Sequence, residues 1–165
     1  MPDPIVTLSR CLHVLGAITL FGGAIFMRYV LYPAASRLPE AEHEILKQGV
    51  TKRWKPFVHL GITVLVLSGL YNYLAVAAPQ HHGDGKYHML MGMKILLALI
   101  VFFIASVLPG RIPAFAGMRR NAKMWLSIAI LCSTAIVVIA GVLKIRNVPV
   151  KVMDQTPPGV IVEES

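Results

Sequence analysis

Apolar and polar positions are grouped along this chain in blocks far longer than any strand. Stretches free of Asp, Glu, Lys and Arg run from Cys11 to Met27, from Pro56 to Gly83 and from Met124 to Leu143. The first continues as apolar sequence past Arg10 to Ile5, and within the second the apolar part is Phe57 to Ala78. Between Lys86 and Arg111 a fourth such stretch is broken only by Lys94. A helix crossing a ~30 Å hydrocarbon core needs about 20 apolar residues, and each stretch is long enough. The pattern predicts four membrane-spanning helices, near residues 5–32, 54–78, 87–108 and 124–144.

The span interiors, rich in Leu, Ile, Val and Ala, show little asymmetry around a helical wheel, as helices wetted by lipid should. Barrel strands would be about 10 residues long with strict alternation, and that alternation is absent. The expected fold is all-α, an integral membrane four-helix bundle occupying residues 1–148. Residues 149–165, with Pro157-Pro158-Gly159, are expected to form a flexible external tail. A short helix lying at the membrane surface is expected over Arg37–Arg53, which carries Glu40, Glu42 and Glu44. A rival reading makes the first span a cleaved signal with Ala34-Ala35-Ser36 as its small-residue site; the acidic start Met1-Pro2-Asp3-Pro4 and the long apolar stretch argue against it.

Composition agrees. The chain is 56% hydrophobic and 15% charged, whereas soluble domains carry about 25% charged residues. That disfavours a soluble enzyme and a disordered chain. The two cysteines, Cys11 and Cys132, lie inside spans and read as packed thiols rather than a disulfide scaffold.

The net charge of +8 suggests nucleic acid until the positions are sorted. Arg28, Arg37, Lys47, Lys52, Arg53 and Lys55 follow the first span, and Arg111, Arg119, Arg120 and Lys123 follow the third, ten on one side. Arg10, Lys86, Lys144, Arg146 and Lys151 make five on the other. By the positive-inside rule the first and third loops face the cytoplasm and both termini lie on the non-cytoplasmic side. The basicity is topology plus contact with anionic membrane lipid, with no nucleic-acid role, and a bacterial inner membrane is the expected location. Every Trp and Tyr falls near a predicted boundary, as an aromatic belt requires; Trp54, Trp125 and the exit residue Arg28 are read as membrane anchors.

Ionisable side chains within hydrocarbon are costly and so are functional candidates. At a rise of about 1.5 Å per residue, His13 lies about 12 Å and Lys94 about 10 Å below the outer surface, so the two share a height. His59 enters from the other side, about 7 Å deep, and reads as interfacial or structural. His88 sits at the outer interface. Gly16, Ala17 and Ala24 follow His13 on its face; small residues let helices approach closely and also leave room for a flat cofactor. A core histidine bonded to a neighbouring helix fits His13 as well, and snorkelling to the interface fits Lys94. His81, His82, His88, Met89 and Met93 place imidazoles and thioethers together, a donor set that suits copper, Met favouring Cu(I). No catalytic triad, phosphate loop, paired carboxylates or Cys-x-x-Cys is present.

These residues resemble a known superfamily. The first span, Cys11-Leu12-His13-Val14-Leu15-Gly16 followed by Phe21-Gly22-Gly23 and Arg28, is similar to that of the copper-resistance protein D domain and its relatives, the HemJ-type protoporphyrinogen oxidases. Arg53-Trp54 through Leu67-Ser68-Gly69-Leu70-Tyr71 resembles the second span of that group, and Met93-Lys94-Ile95-Leu96 through Arg111 its third. The resemblance covers roughly residues 6–145 and implies a b-type haem with a first-span His and a third-span Lys as the essential pair, matching His13 and Lys94. It departs at Leu20-Phe21, where the group has a Trp-x-Gly-Gly-like centre with its aromatic at the place of Leu20, and at Arg120-Asn121-Ala122-Lys123, where the oxidases carry Asn-Glu-x-Pro. Three functions compete: a haem b protein of electron transfer or oxidation, using the His13–Lys94 pair with His88 or His59 as alternative ligands; a copper-handling membrane protein; and a non-catalytic subunit of a larger membrane complex. The partners implied are a redox partner, the other subunits of such a complex, or a second copy of the chain.

Overall fold

The computed structural model describes residues 3–81, 84–110 and 112–146. Among them the regular structure is entirely helical. Four helical stretches are long and apolar enough to cross a membrane: Pro4–Ala35, Glu40–Ala77, Gly85–Val107 and Ala122–Ile145, here the first to fourth spans. The expected tail over 149–165 lies outside the described residues.

Local chemistry sets the ends. Asp3 caps the first span, its carboxylate accepting the Ile5 N–H at 2.9 Å, and Pro4 takes the first helical position, where no N–H is needed. Asp84 caps the third in the same way, accepting from the Tyr87 N–H at 3.1 Å. The first span loosens into a wide π turn over Met27–Leu31 and the second does so over Asn72–Ala77.

The second span differs from expectation. The segment expected as a separate surface helix is helical, but it starts at Glu40 and runs unbroken to Tyr71, 32 residues. At about 1.5 Å per residue that is about 48 Å, well beyond a ~30 Å core. Glu40 and Glu42 sit in its first turn, where carboxylates favour the helix dipole. No Gly–Pro break separates this polar part from the apolar one, and the helix continues through Pro56.

Neighbouring spans are antiparallel. Contacts between the first and second descend in register, from Ser9 with Ser68 through Gly16 with Leu65 to Leu20 with Gly61. Arg28 at the end of the first reaches Ser127 near the start of the fourth, Nε donating to Oγ at 2.9 Å. The first and second spans pack closely, as do the third and fourth, and contacts of first with fourth and second with third close the ring. Helix starts at Pro4 and Gly85 therefore share one end with Arg146, the terminal end; the connections after Ala35 and Val107 lie at the other, the loop end.

The interior is thin. A buried cluster of Leu20, Val58 and Leu65, backed by Ile62 and Phe102, holds the middle. Large apolar side chains cover the outside, Leu131 at 70% exposure among them. A soluble monomer does not sustain such a surface; lipid-facing helices require it. Cys11 faces outward rather than into packing.

Candidate functional site

His13 projects from the first span toward Ser68 and Gly69 of the second. Gly69 makes the approach feasible, because a Cβ there would stand 3.1 Å from the imidazole Cε1. His13 Nδ1 lies 2.9 Å from Ser68 Oγ. The Ser68 hydroxyl donates to the Val64 carbonyl one turn back in its own helix, a habit of serine within helices. With its proton committed in this way Ser68 Oγ accepts, which assigns the proton of that bond to His13 Nδ1 by the network around it. The other ring nitrogen, Nε2, keeps its lone pair. Ser68 is buried, so the pairing is shielded from water.

Lys94 stands nine residues inside the third span's start at Gly85, as His13 stands nine inside the first span's start at Pro4. Both are therefore about 14 Å from the terminal end. Lys94 is half-buried. Among the described residues it has no hydrogen-bond or carboxylate partner. One turn beyond Ser68, where the second span widens, Asn72 Oδ1 is buried with no partner among the described residues. An orphaned acceptor of this kind calls for an unrecorded donor.

Sequence reasoning paired His13 with Lys94 but missed Ser68 and Asn72 as parts of the same neighbourhood. Their signal was available: a hydroxyl next to a glycine, and an amide one turn later, inside an otherwise apolar run.

The other histidines lie elsewhere. His59 is exposed on the outer face of its helix, its Nδ1 bonded to the Lys55 carbonyl at 2.8 Å. Nine residues separate it from Ser68, about 14 Å along the axis toward the loop end. His81 stacks on Tyr87 with ring centres 3.8 Å apart. His88 uses both ring nitrogens, Nε2 donating to the His81 carbonyl at 3.1 Å and Nδ1 accepting from the Tyr73 hydroxyl at 3.3 Å. The cluster braces the turn between the second and third spans. Met89 and Met93 point away, 62% and 47% exposed; His82 lies outside the described residues. Among the described residues no three of His, Cys, Asp and Glu converge as a metal set.

The small-residue face beside His13 is also filled. Gly16 meets the Leu65 side chain, and its Cβ would stand 3.1 Å from Leu65 Cγ, so the second span occupies the space expected for a flat cofactor on that side. Of the expected anchors, Arg28 tethers the first span to the fourth and lies 5.2 Å over the Tyr29 ring. Trp54 packs onto Gly23, where any Cβ would overlap the indole.

As a donor set, a shielded imidazole with Nδ1–H bonded to oxygen and Nε2 free fits axial ligation of haem iron, the arrangement metal-binding histidines adopt. Comparison with protein-family models, curated proteins and solved structures finds no match.

Proposed function

We propose that the protein is a b-type haem membrane protein acting in electron transfer or oxidation, with His13 Nε2 as axial ligand. The observation behind this reading is the His13–Ser68 hydrogen bond, with the serine proton already committed to Val64. A haem held there supplies one-electron exchange. The bond to Ser68 fixes the tautomer and the ring orientation. Lys94 brings an amine to the same height, as second ligand or as partner to an anionic group. Gly69 lies against the imidazole, close to Cε1 and Nδ1. The likeness of these residues to the copper-resistance D and HemJ-type group, where a first-span His and a third-span Lys are paired, belongs to the same reading. Copper handling by the His81–Met93 stretch draws less support, since His88 has both nitrogens in use.

We place the chain in a bacterial inner membrane with its loop end cytoplasmic, on the weight of the ten basic residues there. The test is the visible spectrum of the purified full-length protein. An equimolar haem signal with a Soret band is expected. A colourless preparation from haem-replete cells would overturn the reading.

A further inference from the structure

At the loop end, away from His13 and Lys94, a cleft of about 970 Å³ including its open mouth runs between all four spans. Its deep end is walled by Leu20, Val58, Ile104 and Ala129, one residue from each span. Its mouth is lined by Tyr32, His43, Lys47 and Thr51. From His43 to Val58 is about 15 residues of one helix, about 22 Å. With Trp54 at the loop-side interface, Val58 lies about 6 Å below it and Ala129 about 10 Å below the start of its span. The cleft thus runs from headgroup level to the upper part of the acyl-chain region of one leaflet.

Its chemistry changes along that path. The deep part is apolar except for the Ser133 hydroxyl. At the mouth, the Tyr32 hydroxyl, the Thr51 hydroxyl and the Trp54 indole N–H have no hydrogen-bond partner among the described residues. Lys47 is a charged lining residue, Arg53 lines an adjoining groove that shares Trp54, and no acidic side chain lines either space. Lys47 does meet Glu44 at 3.2 Å, but both are well exposed, and such i,i+3 pairs are weak enough to yield to a stronger anion. Cations and uncommitted donors above an apolar slot match a phosphate above an acyl chain, and basic pockets between helices are known anionic-lipid sites.

We propose that this cleft binds one anionic phospholipid of the surrounding leaflet, an acyl chain between Leu20 and Ala129 and the phosphate at Lys47, Thr51 and Trp54. The proposal is independent of haem. Trp54 reports on it directly: with Trp125→Phe, Trp54 is the remaining one of two tryptophans. The full-length variant in mixed micelles is titrated with phosphatidylglycerol or phosphatidylcholine carrying brominated acyl chains. Saturable quenching of Trp54 is expected at a lower mole fraction of the glycerol lipid. Lys47→Gln, an exposed change that does not threaten folding, should weaken that preference about fivefold, the worth of one lysine near anionic headgroups. Ala105→Leu, which narrows the slot, should remove the saturable component while helicity and melting temperature hold. Equal quenching by both lipids, or saturable quenching unaffected by Lys47→Gln and Ala105→Leu, overturns the proposal. So does equimolar co-purification of a neutral amphiphile such as a quinone from the cleft.

Discussion

His13 and Ser68, 55 positions apart in the chain, meet at 2.9 Å between Nδ1 and Oγ inside the bundle. The serine hydroxyl looks back to its own helix and the imidazole looks to the serine. This two-bond relay leaves one nitrogen of one histidine available. Replacing Ser68 with Ala orphans the Nδ1–H in a shielded place, a loss of about 1–3 kcal/mol, and frees the ring to change tautomer. Haem retention should fall about 10–100-fold, the usual effect of removing a ligand's outer partner, with a shifted absorption band. Absorption spectra and thermal melting read both effects. An unchanged spectrum would remove Ser68 from the site.

His13 and His59 separate ligand from bystander. His13→Ala should abolish haem retention or shift the spectrum strongly, because no neighbour can replace a metal–imidazole bond. His59→Ala, on an exposed face about 14 Å along the axis from Ser68, should change melting slightly and the spectrum hardly at all. Lys94→Met should be intermediate, since a thioether of similar volume can ligate iron. If His59→Ala alone strips the haem, the site lies in the other half of the bundle.

The cluster at the turn between the second and third spans should be dispensable for haem. Replacing His81, His82 and His88 together removes the brace formed by His88 with Tyr73 and the His81 carbonyl. Proteolysis near Gln80 should quicken while the haem spectrum stays as it was. Loss of haem would make His88 the ligand in place of Lys94.

Gly23→Ala puts a methyl group where the Trp54 indole lies. The indole or the first span must move, at about 1–3 kcal/mol, the usual cost of overpacking. A lower melting temperature and a shifted Trp54 emission maximum, read in Trp125→Phe, are expected. Unaltered emission and melting would mean the two spans are not locked through this notch.

A reporter active only in the cytoplasm should be silent when fused after Ser165 and active when inserted near Lys47. The opposite pattern would invert the bundle and move the His13 site to the inner leaflet.

The sequence by itself determined the four spans, their approximate ends and the equal depth of His13 and Lys94. Each follows from local quantities: the length of an uncharged run and the constant rise per residue of a helix. Only the tertiary structure decided which way each polar side chain turns and what it meets. That Ser68 faces His13, that His59 faces outward and that Trp54 settles on Gly23 depend on how each helix is rotated about its axis. A soluble helix declares that rotation through its apolar stripe, but here lipid and packing partners are equally apolar and nearly every face reads alike. The unbroken run from Glu40 into the second span was hidden for a related reason. A change from charged to apolar residues marks where the medium changes, and a helix crosses that boundary without bending.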